Sequence, residues 1–224
     1  MLSKKSSSPS LYYESMKLLI FGATGGTGRQ LVEQGLAKNY DIAAFVRNPA
    51  AITTSSDRLT VVKGDLSDYA SIKSAMTGCD AVVSALGNKT GMAMRHANTI
   101  ISDGLKNILR AMRETNVRRL IFITSFGVSE TIFLPEKLFI RTFLKNIFAD
   151  IPLQESLIRE SGLSWTIVRP ARLVDGPRTG RYKKGDGTMH IGLSSRIARA
   201  DVADFILNSI NDPATTQKIV TISY

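Results

Sequence analysis

A chain of 224 residues with 43% hydrophobic content can build one well-packed domain and is short for two. A single cysteine, Cys79, excludes an intramolecular disulfide framework, and no apolar run approaches the roughly 18 residues of a membrane span, so a reducing, cytoplasmic setting is expected. The net charge of +10 comes from 29 Lys and Arg scattered along the chain, a pattern that favours an anionic small ligand over nucleic acid.

Residues 1–15 (MLSKKSSSPSLYYES) are Ser-rich and weakly basic, without the apolar stretch of a signal peptide. They read as a disordered tail, or as a docking arm using Tyr12 and Tyr13, ahead of one domain over residues 16–224. The domain opens on Lys17-Leu-Leu-Ile-Phe21, an apolar strand that runs directly into Gly22, Gly25 and Gly28, spaced three apart, and then into a helix. Glycines in such a strand-to-helix turn tolerate positive φ and let a backbone come close, so amides at the helix start can hold a pyrophosphate. The spacing is G-x-x-G-x-x-G rather than the G-x-G-x-x-G fingerprint, so the neighbouring segments have to support it.

Helical spacing of Leu31, Val32, Leu36 and Ala37 predicts a helix from Arg29 to Lys38, stopped by Asn39. A second strand, Ile42–Val46, ends at Arg47, where an NAD site presents an acidic residue to the ribose. A guanidinium there suits a 2′-phosphate and thus NADP(H); the alternative is a solvated arginine at a strand end. The third strand, Leu59–Val62, leads into Lys63-Gly-Asp-Leu66 and a short helix over residues 67–76, capped by Ser67 or Asp68. Asp65 and Leu66 stand where an adenine would lie, although Asp65 also fits a plain turn. The fourth strand, Asp80–Ala85, continues into Leu86 and Gly87, small enough in part to pass close to a ribose.

A long helix over Met92–Glu114 follows, then a strand at Leu120–Ile123 apolar enough to be buried on both faces. It ends in Thr124-Ser125-Phe126, at the sheet edge where ligands bind; Ser125 faces the reactive end of a cofactor or satisfies backbone. Residues 131–160 are rich in Phe and Leu and are divided by Pro135 and Pro152. A sixth strand, Ser164–Val168, runs into Arg169-Pro170-Ala-Arg172. Residues 175–190 read as a Gly-rich basic loop, Asp201 as the start of a helix to Ile210, and Lys218–Ile222 as the last strand.

These segments together resemble the atypical short-chain dehydrogenase/reductase superfamily, in its small NAD(P)H-binding branch with NmrA-like and flavin-reductase-like members. The carriers are GATGGTGR at Gly22–Arg29, FVRN around Arg47, KGDL at Lys63–Leu66, ALG at Ala85–Gly87, ITS at Ile123–Ser125, and RESGLSWTIVRPARLVDGPRTG at Arg159–Gly180. The resemblance implies an α/β fold, a Rossmann-type doubly wound parallel sheet in a single domain, with NADP(H) as cofactor. It places Thr24, Gly25, Gly26, Thr27 and Gly28 at the pyrophosphate, Arg47 at the 2′-phosphate, Asp65 and Leu66 at the adenine, and Pro170 beside the carboxamide, with Gly22 and Thr124 also on the cofactor. Ser125 matches the active-site serine, and Phe126, Arg172 and Tyr182 are candidate contacts for a small aromatic substrate, a flavin or quinone.

Two departures bear on chemistry. Downstream of Ser125 there is no Tyr-x-x-x-Lys pair, since Lys137 and Lys145 follow Phe133 and Arg141 at that spacing. Ile151 and Arg172 stand where the flavin-reductase-like members carry the two histidines of their tetrapyrrole pocket. A flavin or quinone delocalises the charge of an incoming hydride and asks for less acid catalysis than a ketone, so reduction of such an acceptor is the expected activity. The alternative is a non-catalytic NADP(H) sensor of the NmrA-like kind. Few features demand assembly, and a monomer or weak dimer is expected.

Overall fold

The apolar runs become the strands of one sheet in the computed structural model, which describes residues 15–87, 99–125, 150–189, 191–192 and 194–224. β1 (Lys17–Phe21), β2 (Asp41–Val46), β3 (Leu59–Lys63), β4 (Ala81–Ser84), β5 (Arg119–Ile123) and β6 (Ser164–Pro170) are parallel. With the last strand, β10 (Lys218–Ser223), they take the order β3-β2-β1-β4-β5-β6-β10. β1 is an interior strand, pairing with β2 on one side and β4 on the other, so the winding direction reverses beside it. This is the mostly parallel, doubly wound Rossmann sheet that the sequence predicts, and ligands collect at such a reversal point.

Alternate residues along each strand face opposite layers, and both layers are apolar. Leu18, Ile20, Ala44, Val83, Ile121 and Val168 pack against α1 (Gly26–Ala37) and α5 (Arg199–Ser209). Leu19, Phe21, Phe45, Val82, Phe122 and Ile167 pack on the other face against α2 (Tyr69–Met76), α3 (Ile100–Glu114) and α4 (Ile151–Arg159). Strands buried on both sides read as continuous hydrophobic runs, which is why the sequence located them. Truncating one of these fully buried Leu or Ile side chains to Ala costs about 2–5 kcal/mol.

Several boundaries differ from the sequence reading. α1 begins at Gly26 rather than Arg29, because packing on the sheet outweighs the poor helix propensity of glycine and threonine. Asp68 caps α2, accepting from the Ser71 amide at 3.2 Å. Pro152 falls in the first turn of α4, where its missing N–H costs nothing. The Gly-rich loop of residues 175–190 contains β8 (Lys183–Asp186), which pairs antiparallel with β10 and closes that edge of the sheet. A second small sheet joins β7 (Arg172–Val174) to β9 (Arg196–Ala198). The expected tail over residues 1–15, except Ser15, lies outside the described residues, as do 92–98 of the long helix, Phe126 and most of the Phe-rich segment.

Candidate active site

Strand order brings the candidate residues into a line along the carboxyl edge of the sheet. The segments after β3, β2, β1, β4, β5 and β6 carry, in that spatial order, Asp65 and Leu66, Arg47, the glycine turn, Ala85–Gly87, Thr124 with Ser125, and Ala171 with Arg172. They are far apart in the chain and adjacent only through parallel pairing. A dinucleotide has this shape: adenosine at one end, a central pyrophosphate, and nicotinamide at the other.

At the centre, Gly22 has φ +78, a region L side chains avoid, and a Cβ there would lie 2.6 Å from the Ala85 carbonyl oxygen. The Ala85 amide donates to the Phe21 carbonyl at 2.9 Å, so the ends of β1 and β4 are locked together at this turn. Gly28 permits an even closer approach, since a Cβ would come within 2.1 Å of the Gly22 carbonyl oxygen. α1 is thereby drawn tightly over the turn. Its first turn holds no acidic residue, and no side chain caps its start. The amides of Gly26, Thr27 and Gly28 precede the first helical bond, Arg29 N–H to Gly25 oxygen at 2.8 Å, and with the helix dipole they suit an anion. The residues present therefore fit a pyrophosphate.

Toward β3, Arg47 is exposed at the end of β2. The hydroxyl and amide of Ser67 donate to Asp65 Oδ1 at 2.6 and 2.9 Å and hold its carboxyl below the usual value, with the charge of Arg47 adding to the effect. Asp65 thus makes the turn contact that the sequence left as its alternative reading. Leu66 is partly buried; Asn107 Nδ2 donates to its carbonyl at 2.8 Å, fixing the segment against α3.

Toward the other end, the Thr124 amide donates to the Val168 carbonyl at 2.9 Å, so Ser125 emerges beside Arg169 and Pro170. Beneath them lies a charged network that the sequence does not announce. Arg169 Nε and Nη2 donate to Glu155 Oε1 and Oε2 at 2.9 and 2.6 Å, with both side chains buried, and Thr124 Oγ1 donates to the same carboxylate at 3.1 Å. The bidentate pair joins α4 to β6 under the strand ends, and Thr124 adds the end of β5. Glu155 reads in sequence as an ordinary helical carboxylate; its burial follows only from how α4 lies on the sheet.

Arg172 is exposed on β7, its amide donating to the Ser195 carbonyl at 3.2 Å. Tyr182 Oη donates to Asp204 at 3.1 Å, and its ring meets Phe205 edge-on at 6.1 Å, which ties it to α5. Burial, with Asp204 beside it, pushes the Tyr182 phenol well above its ordinary value. Asp201, expected to open a helix, lies fully buried in the first turn of α5 and accepts from Thr179 N and Oγ1, Gly180 N and Tyr224 Oη at 2.7–2.8 Å. Burial raises that carboxyl, but these hydrogen bonds outweigh it and leave it below its usual value. The residues 175–182 are thereby pinned to α5. Among the described residues no group of His, Cys, Asp and Glu could hold a metal ion.

A glycine-rich turn between β1 and an uncapped helix, at the reversal point of a doubly wound sheet, defines a dinucleotide-binding Rossmann domain. Residues 22–213 match the NAD(P)H-binding family, and the chain belongs to it. It is 30% identical over 200 residues to an uncharacterised chloroplastic protein of Arabidopsis thaliana, covering 85% of this chain and 71% of that one. A short-chain dehydrogenase/reductase from Veillonella parvula, solved in complex with NADP, superposes with a TM-score of 0.76 at 20% identity over 93% of this chain and 94% of that one. An anaerobilin reductase from Escherichia coli O157:H7 gives 0.72 at 24% identity over 92% and 96%. At these identities the two structures share the fold with this chain. Among the described residues no helix is long and apolar enough to cross a membrane.

Proposed function

We propose that this protein is an NADPH-dependent reductase that passes a hydride to a flavin, quinone or similar small aromatic acceptor. The observation that carries the reading is the line of segments along the sheet edge, with an arginine and no carboxylate at the end of β2 and a serine at the end of β5. Bound along that line, NADPH supplies a hydride from its nicotinamide.

The chain's own part is binding and placement. Thr24 to Gly28 hold the pyrophosphate through backbone amides, and Arg47 pairs with the 2′-phosphate. Leu66 packs on the adenine, Asp65 accepts from its amino group, and Ala85, Leu86 and Gly87 line the ribose. Thr124 and Pro170 border the carboxamide, fixed from below by Glu155 and Arg169. The Ser125 hydroxyl donates to the acceptor, whose ring spreads the charge it gains, and the balancing proton comes from solvent. Phe126, Arg172 and Tyr182 contact the acceptor, and the Tyr182 hydroxyl, which donates to Asp204, ties this side of the site to α5. The single Cys79, buried, fits a reducing compartment, either the cytosol or the plastid named for the Arabidopsis relative.

The test is NADPH oxidation with FMN, riboflavin and small quinones, read beside equilibrium NADPH binding. Turnover above the free-acceptor blank is expected, with Ser125→Ala lowering it and leaving NADPH affinity unchanged. Tight NADPH binding with no turnover for any acceptor would replace this reading with a dinucleotide sensor.

A further inference from the structure

The first turn of α1 does not face open solvent alone. Arg199, the first residue of α5 and distant in sequence, lays its side chain over Gly26: a Cβ on that glycine would stand 2.6 Å from Arg199 Cδ and 2.8 Å from Nε. The Arg199 side chain therefore lies against Gly26, the first residue of the helix whose opening amides suit the pyrophosphate. Its guanidinium pairs with Asp175, whose Oδ1 accepts from Nη1 at 2.7 Å. The Asp175 side chain is 93% exposed, and such surface pairs are weak and screened by salt. Asp175 follows β7, in the segment pinned at Thr179 and Gly180 to buried Asp201, so the pair links that segment to the anion site.

We propose that Arg199 is an anion-binding residue of the dinucleotide site that exchanges the Asp175 carboxylate for the pyrophosphate. The proposal rests on the dinucleotide reading and extends it to a residue outside the glycine turn. The geometry supports the exchange in three ways. Arg199 already lies on the glycine that the pyrophosphate must approach. It carries five donors, of which Asp175 engages Nη1. A pyrophosphate at a helix start offers it more charge, in a less screened place, than an exposed carboxylate does. Cofactor binding then unties Asp175 from α5 while Thr179 and Gly180 remain anchored, so the segment after β7 responds to the dinucleotide at one end only.

The experiment measures Kd for NADPH, NADH and 2′-AMP, the last carrying the 2′-phosphate without a pyrophosphate. Arg199→Ala is expected to weaken NADPH and NADH by the same factor, about tenfold or more, and to leave 2′-AMP unchanged. Arg199→Lys should recover part of the loss. Asp175→Asn, which removes the competing carboxylate, should tighten both dinucleotides by about twofold or more. Unchanged dinucleotide binding in Arg199→Ala overturns the proposal, as does a loss confined to NADPH, or an equal loss for 2′-AMP. Asp175→Asn weakening both dinucleotides would overturn the exchange by making Asp175 a support for Arg199. Failure of the wild-type chain to bind either dinucleotide is a separate result, which removes the underlying dinucleotide reading.

Discussion

Glu155→Gln tests the charged network under the strand ends. Glu155 accepts from Arg169 Nε and Nη2, from Thr124 Oγ1, and from Arg159 Nη2 at 3.2 Å. Removing its charge leaves the buried Arg169 guanidinium uncompensated, with the Gly187 carbonyl at 3.5 Å as a remaining neutral acceptor. Breaking a buried pair from one side costs about 3–5 kcal/mol. For a chain of this length that lowers Tm by about 6–20 °C. The reverse change, Arg169→Met, should cost less, because Glu155 keeps Thr124 and the half-exposed Arg159. A double variant, Glu155→Leu with Arg169→Met, should recover most of the loss, since two apolar side chains leave no buried charge. Thermal and urea unfolding by circular dichroism compare the wild type with the three variants. A Glu155→Gln Tm within about 2 °C of the wild type would refute the reasoning, as would a double variant no better than the worse single one.

Three further outcomes follow from other sites. Gly28→Ala should destabilise and abolish dinucleotide binding, although helix propensity alone favours alanine by about 1 kcal/mol; the opposing fact is a Cβ 2.1 Å from a backbone oxygen that cannot move aside, and a raised Tm would contradict it. Arg47→Glu should weaken NADPH by at least about tenfold and NADH far less, measured by titration; equal loss would retire the 2′-phosphate assignment. Asp201 has a depressed folded-state value, so its stabilisation is complete above the unfolded carboxyl value of about 3.9 and is lost as pH falls through the folded one. Asp201→Asn should therefore lower Tm at pH 7, by about 1.5–3 kcal/mol of stability, and flatten the acid limb of the Tm–pH curve below about pH 4; parallel curves for the two proteins would count against it.

The central strands and the glycine turn were legible because their cause is local. A strand covered on both faces must be apolar throughout, and a strand-to-helix turn that nearly touches its own backbone admits only glycine. β8 was not legible: Lys183-Lys-Gly-Asp186 has no hydrophobic pattern, and it is a strand only because β10 offers an edge. Glu155 and Arg199 escaped for a related reason. Each looks like a helical surface charge, and each meets its function through a residue from another part of the chain, Arg169 in one case and Gly26 in the other. Asp201 carried a helix-start signal that was correct to within two residues, but its carboxylate serves the preceding loop rather than the helix.

The polar strand β8 also bears on how the molecule behaves when concentrated. An open sheet invites a second copy to continue it, and a long, flat, apolar border is where that begins. Here the border beyond β10 is four residues long, runs antiparallel to its neighbour, and carries Lys183 and Lys184, both exposed. Two like charges meeting across a would-be junction repel, and a short strand offers few hydrogen bonds to offset them. The segment that sequence pattern could not identify as a strand is thus the one that shields this border against aggregation.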